Sequence, residues 1–327
     1  MTETAMTLPG LYPAIEPVDS GLLPVSDGHR IYWEVAGNPD GVPVVFLHGG
    51  PGGGARPIHR QFYDPAFYRI VILDQRGCGR SLPLGSLAGN NTQAIIADLE
   101  ALRRHLGIER WLVTGGSWGS CLALAYGETY PERCLGFRLR GVFTGRASEI
   151  EWWWHSIGVL FPEAFADLAA AIPAAERSDL LTAYHRRATD PDPAIHLPAV
   201  TALKRFSART STFRPDPSLI ADAGNPDSAL PLSRFFAHYC VNKFFLAEGQ
   251  VLRDIGRITH LPCVIVQGRY DVVTPPRTAW KLAQVWPGAE LRIVTEANHA
   301  ELEPASAAAV RQANDDMRRW VTGNEIL

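Results

Sequence analysis

The chain reads as an α/β protein: a mostly parallel sheet flanked by helices, with a helical cap inserted into it. Three observations predict this. Short continuous apolar runs, of the kind that form strands covered on both faces, recur along the sequence. Helical periodicity alternates with them, the pattern of a parallel sheet. That alternation stops between residues 144 and 255, where helical, aromatic and proline-broken segments take over, and then resumes. The core is therefore predicted over 1–143 and 256–327, and the cap over 144–255.

Residues 1–28, rich in proline and glycine, read as an extended lead-in. Arg30–Gly37 alternates as a strand, and Asn38-Pro-Asp-Gly41 has the composition of a turn. Pro43–Leu47 and Tyr68–Leu73 are buried strands, ending in His48-Gly-Gly-Pro-Gly-Gly-Gly54 and Asp74-Gln-Arg-Gly-Cys-Gly-Arg-Ser81. Asn91 can cap the next helix, in which Ile95, Leu99, Leu102 and Leu106 share a face and Gly107 closes the end. Then follow a strand from Trp111, a helix over Ser120–Tyr130 and a strand over Leu135–Phe143. Within the cap, Glu149–His155, Phe161–Ala171, Ser178–Arg187 and Leu232–Ala247 read as helices. Strands over Pro262–Gln267 and Ala289–Val294 flank a helix at Thr278–Val285, and Pro304–Val321 forms the last helix.

At 327 residues, 46% hydrophobic and 20% charged, the composition is that of an ordinary globular protein. A net charge of −3 without basic blocks argues against a nucleic-acid partner. The amino terminus lacks the pattern of a signal peptide, and no apolar run is long enough for a bilayer. The five cysteines (Cys78, Cys121, Cys134, Cys240 and Cys263) are scattered and odd in number, as expected of thiols in a reducing compartment. The cytoplasm is the expected location. Oligomeric state is not legible.

The chemistry centres on Trp111–Tyr126, which reads as a strand, a turn too tight for side chains, and a helix. Gly115-x-Ser117-x-Gly119 places a serine on that elbow, with glycines where strand and helix come closest. The amide of Trp118, opening the helix, can face an oxyanion. A nucleophilic serine needs a base and a group that orients the base. In this architecture they follow in the order acid, then histidine, at the ends of later strands. Asp271 comes one Gly-Arg-Tyr turn after the Cys263–Gln267 strand, and His299 follows the next strand after Thr-Glu-Ala-Asn. The glycine loop after His48 would supply a second oxyanion donor from Gly49 or Gly50, with Gly50 favoured.

Two other classes deserve weighing. Gly50-Pro-Gly-Gly-Gly-Ala55 fits G-x-G-x-x-A, and Asp74 ends the next strand, as in a nucleotide-binding oxidoreductase. Such glycines should open straight into a helix, whereas Pro57 and Pro65 leave room only for a short one. A catalytically dead binding module is disfavoured because no triad member is missing. No P-loop, His-Glu-x-x-His or clustered metal-ligand pattern occurs, so no cofactor or metal is expected.

Taken together, His48–Gly54, Asp74–Ser81, Gly115-Gly-Ser-Trp-Gly-Ser120 and Gly268-Arg-Tyr-Asp271 resemble the proline iminopeptidases, serine peptidases of the α/β-hydrolase fold. The likeness extends to Tyr130-Pro-Glu-Arg133, His238-Tyr239 and Asn242. It implies Ser117 as nucleophile, Asp271 and His299 as its partners, and a cap that recognises a free N-terminus on a small-molecule or short-peptide substrate. Family members typically hold the substrate amine with two cap glutamates. Those positions fall here on Ser207 and Phe236, neither acidic, with Glu151, Asp216 or Glu248 as substitutes. Among Trp152–Trp154, one or two should line the pocket, Trp153 being the choice. The expectation is an acyl-enzyme hydrolase of an amide or ester that diverges in substrate from a true prolyl aminopeptidase.

Overall fold

The computed structural model describes residues 8–322. Residues 1–7, the start of the predicted lead-in, and residues 323–327 lie outside them. The strands are β1 (Asp19–Pro24), β2 (Arg30–Gly37), β3 (Val42–Leu47), β4 (Tyr68–Asp74), β5 (Trp111–Gly116), β6 (Cys134–Arg140), β7 (Cys263–Gly268) and β8 (Ala289–Val294). They form one sheet in the order β1-β2-β4-β3-β5-β6-β7-β8. The pairs of β2 with β1 and β4 are antiparallel, and every pair from β4 to β8 is parallel. The chain runs outward from β3 to β4 and resumes on the other side at β5. Loops at the carboxyl ends of β3 and β5 therefore diverge, leaving the crevice in which such sheets bind ligands.

Part of the expected lead-in is an edge strand. Asp19, Gly21 and Pro24 give β1 the composition of a turn, and it is held by pairing with β2 rather than by an apolar face. Helix α1 (Thr92–His105) starts at Asn91, whose side chain accepts from the Ala94 amide. Such a cap stabilises by about 1 kcal/mol. Helix α2 (Trp118–Thr129) is buried on nearly all sides.

Between β6 and β7 lie α3 (Ala147–Trp154), α4 (Pro162–Ala170), α5 (Leu180–Ala188), α6 (Pro193–Ser211), α7 (Pro217–Asp222), α8 (Pro226–Val241) and α9 (Gln250–Asp254). The long α6 carries an internal Pro198, and α8 an internal Pro231. Helix α8 begins six residues before the predicted Leu232, because Asn225 caps it and Pro226 occupies its first turn. It ends at Val241, where Lys243, Phe244 and Phe245 take positive φ of 50°, 54° and 54°. Thr92 and Gln93 of α1 donate to the carbonyls of Phe244 and Phe245 and hold that bend against the core. Helices α10 (Pro276–Val285) and α11 (Pro304–Val321) complete the core.

Two apolar layers sandwich the sheet. One joins Leu47, Leu99, Val113, Leu122 and Ile265 to the cap through Trp153, Trp154 and Phe235. The other sets Val44, Ile70 and Val264 against Val310 and Met317 of α11. All five cysteines are free and buried. Among the described residues, no helix is long and apolar enough to cross a membrane.

Candidate active site

Ser117 sits between β5 and α2 at φ 57°, ψ −126°, a conformation that strains a residue with a side chain. The turn closes because its flanks are glycine. A Cβ on Gly119 would lie 2.1 Å from the Leu47 carbonyl oxygen, and one on Gly115 would lie 2.2 Å from that of Gly119. The Ser117 amide donates to the Arg140 carbonyl at 2.9 Å, tying the elbow to the end of β6.

His299 and Asp271 meet at the ends of β8 and β7. His299 Nδ1 donates to Asp271, at 3.0 Å from Oδ2 and 3.1 Å from Oδ1. This fixes the ring's tautomer and leaves Nε2 as the acceptor. The carboxylate also accepts from the Val273 and Thr274 amides, Thr274 Oγ1 and Gln267 Nε2. Burial pushes the Asp271 pKa up, but the His299 ring, the Thr274 amide and Arg140 outweigh it and hold the carboxyl below its ordinary value. Ser117 and His299 line the same pocket, with no hydrogen bond between them. Nucleophile–base bonds are often loose in unliganded enzymes and tighten around substrate.

Trp118 opens α2, so its N–H has no acceptor within the helix. Across the elbow, Gly50 (φ 119°) belongs to the loop leaving β3, and a Cβ on its neighbour Gly49 would lie 3.2 Å from Ser117 Cβ. His48 braces that loop. Its Nδ1 donates to the Gly49 carbonyl, and its Nε2 accepts from the Gln75 amide. Gln75 donates from Nε2 to the His48 carbonyl and accepts from the Trp118 indole at 2.8 Å, linking the loop after β3 to the start of α2. The Asp74 carboxylate is taken up by the Ala55 and Arg80 amides and by Arg80 Nε. It is a loop brace, unlike the ribose-binding acid of a nucleotide site, and Pro57–Phe62 forms only a 3₁₀ turn.

A pocket of about 310 Å³ opens on Ser117. Gly50, Trp118, Trp153, Ser207, Phe236 and His299 all line it, together with Phe143 and Phe244. Asp271 stays behind His299, 2% exposed. Of the three tryptophans, Trp153 faces the pocket. Trp152 donates its indole N–H to the Val272 carbonyl, and Trp154 packs among Tyr184 and Phe236.

A family model described as the alpha/beta hydrolase fold matches residues 42–303. A proline iminopeptidase of Xylella fastidiosa is 49% identical over 93% of this chain and 98% of its own length. The proline iminopeptidase of Arabidopsis thaliana is 45% identical over 97% of this chain and 84% of its own. The chain belongs to the proline iminopeptidase family of α/β hydrolases. Among solved structures, proline iminopeptidase from Mycobacterium smegmatis shares the fold at a TM-score of 0.60 and 24% identity, covering 94% of this chain and all of that one. An esterase from Thermogutta terrifontis does so at 0.63 and 19%, covering 93% and 99%.

As a member of the proline iminopeptidase family the protein is a serine hydrolase, and its pocket wall carries residues that its sequence did not single out. Glu149 and Glu301 both line the pocket. Glu149 is occupied: Oε2 accepts from Thr144 and Arg146, and Oε1 from Thr278. Glu301 faces His59 at 3.8 Å, Arg140 at 3.7 Å and Arg138 at 4.0 Å. Burial raises its pKa, but Arg140 and the other cationic neighbours prevail and keep it low. Burial drives His59 down to about 4. Glu151, Asp216 and Glu248 do not line the pocket: Glu151 is exposed, Asp216 caps α7, and Glu248 accepts from the Ala147 amide. The sequence signal for Glu301 was its place two residues after His299. A carboxylate there reads as a loop residue until the fold brings β6 beside it.

Proposed function

We propose that this enzyme hydrolyses a small amide or ester whose acyl group carries no free α-ammonium. Ser117 Oγ attacks the acyl carbon while His299 Nε2 takes its proton, and Asp271 holds the resulting imidazolium. The Gly50 and Trp118 amides receive the oxyanion; one such donor contributes on the order of 3 kcal/mol to the transition state. His299 then protonates the leaving group, and water repeats the sequence on the acyl-enzyme.

The observation that carries the substrate reading is the charge of the wall. Arg56, Arg140 and Lys204 line the pocket beside two carboxylates: Glu149 is hydrogen-bonded to Thr144, Arg146 and Thr278, Glu301 faces Arg140 at 3.7 Å while its Oε1 accepts no hydrogen bond among the described residues, and Lys204 is paired with Asp222. Ser207 offers one hydroxyl and Phe236 a ring, which packs on Trp153 at 4.5 Å. A buried ammonium without a counter-charge costs several kcal/mol. A cation–π contact returns only about 0.5–2 kcal/mol.

The second reading, a true prolyl aminopeptidase, is favoured by the 45–49% identity to proteins named proline iminopeptidase. The two separate on one comparison: kcat/KM for a prolyl ester against the cyclopentanecarbonyl ester, the same ring without the nitrogen. Preference for the carbocycle supports our reading. A tenfold or greater preference for the prolyl ester restores the aminopeptidase.

A further inference from the structure

Gly50 and Trp118 line the pocket, and the amide of neither donates to an acceptor among the described residues. They belong to segments far apart in the sequence, the loop after β3 and the first turn of α2. Oxyanion donors act only when they lie about 2.7–3.1 Å from the place the charged oxygen will occupy. The separation of the two segments is therefore part of the catalytic geometry.

One side chain spans them. Gln75, His48 and Trp118 are each 2% exposed or less, so bulk water cannot replace the bonds among them. An indole N–H can only donate, so the Gln75 atom that meets Trp118 Nε1 at 2.8 Å is Oε1. Nε2 is left to donate to the His48 carbonyl, also at 2.8 Å. The Gln75 backbone amide donates to His48 Nε2 at 3.0 Å, and Nδ1 of that ring donates to the Gly49 carbonyl at 2.9 Å. The Gly49 carbonyl accepts from Gly53 as well, closing the turn on which Gly50 sits. Gln75 does not line the pocket, so whatever it does for the reaction passes through these neighbours.

Building on the serine-hydrolase reading above, we propose that Gln75 is a positioning residue of the oxyanion site. Its side-chain amide holds the loop of Gly50 at one end and Trp118 at the other. It thereby sets the distance between the two donors without touching substrate.

Two variants separate this role from a merely structural one. Gln75→Met keeps the length of the side chain and removes both of its bonds. Gln75→Glu keeps the shape, but a carboxyl can donate to His48 and accept from Trp118 only when protonated. Burial raises the pKa of such a carboxyl. Around that position stand His48, whose pKa burial lowers, Cys78 and Tyr239, whose pKa values burial raises, and the ion pairs Asp74–Arg80 and Arg76–Asp98. Dividing by the wild-type rate at each pH removes their contribution and that of His299. Rates are counted per serine labelled when a fluorophosphonate is run to completion, which removes any loss of folded protein.

On an accepted p-nitrophenyl ester, Gln75→Met should lower kcat per labelled serine about 10²-fold, with KM within about threefold of wild type. The probe of the transition state is a trifluoromethyl ketone bearing the same acyl group. Its carbonyl carbon takes Ser117 Oγ, its oxygen becomes the oxyanion, and the serine proton passes to His299. Affinity for it should fall by a similar factor in Gln75→Met. For Gln75→Glu, kcat relative to wild type should climb as the pH is lowered from about 8 to about 6. The inference is overturned if Gln75→Met matches wild type in kcat per labelled serine and in affinity for the ketone, whatever KM does. A Gln75→Glu ratio independent of pH also overturns it, and this holds even if Gln75→Met does not fold. A wild type that turns over no acyl substrate overturns the hydrolase reading, and this inference with it.

Discussion

Arg140 bridges the Ser117 elbow and the His299 loop: its guanidinium donates through Nη1 to the His299 carbonyl at 2.5 Å, and its own carbonyl accepts from the Ser117 amide. The elbow and the histidine loop lie far apart in the sequence, and this residue of β6 bonds to both. Truncating the side chain should let the histidine loop drift. A misplacement of about 1 Å costs on the order of 10²-fold in rate. Arg140→Met should therefore lower kcat by about that factor with a smaller change in KM, while circular dichroism stays native. An unchanged kcat would show that Asp271 and the hydrogen bonds to the Ser211, Thr210 and Thr212 carbonyls fix the loop without Arg140.

The pocket wall predicts a gain of function. Ser207→Glu with Phe236→Glu should raise kcat/KM for a prolyl ester at least tenfold over wild type and lower it for the carbocyclic ester. Phe236 is half-buried and packs against Trp153 and Trp154, so the double variant should also melt earlier. Ser207→Glu alone keeps that packing and should show part of the gain. No gain in either variant would place amine recognition elsewhere.

Acid stability should report on His59. Burial lowers its folded pKa to about 4, below the unfolded value of about 6.5. Between those values the unfolded chain binds a proton that the folded chain refuses, so stability drops as the pH is lowered, by at most about 1.4 kcal/mol per unit for this group. Above about pH 6.5 it contributes no slope. The stabilised carboxylates Asp271 and Glu301, with folded pKa values lowered, lose their contribution at more acid pH. Urea titrations from pH 7 to 4 should show a shallower slope in His59→Gln than in wild type. Identical slopes would mean that water reaches the ring.

How much of this was legible in the sequence follows from what each feature depends on. The G-x-S-x-G elbow and Asn91 cap are local: glycines and a capping side chain act on neighbours within a few residues. Asp271 and His299 could be placed because each ends a strand recognisable by its apolar run. Strand β1 could not, since only its pairing with β2 distinguishes it from a loop. Helix α6 was hidden by Pro198, whose missing donor is tolerated in a helix packed against α5 and α8. Gln75, Arg140 and Glu301 act across distances that only the folded sheet closes.

Trp153 separates pocket from core. Its ring meets Phe206 and Phe236 while also lining the cavity. Trp153→Leu should change the ranking of acyl groups by size and leave acetyl esters nearly unaffected. An equal loss on all esters with a lower Tm would assign the ring to packing alone.

The most direct test is the covalent intermediate on Ser117. A fluorophosphonate should add one phosphonyl group to the wild-type protein, and peptide mapping should place it on Ser117. Ser117→Ala should remain unlabelled and lose about 10⁴–10⁶ in kcat. Labelling at another residue, or undiminished hydrolysis by pure Ser117→Ala protein, would contradict the account.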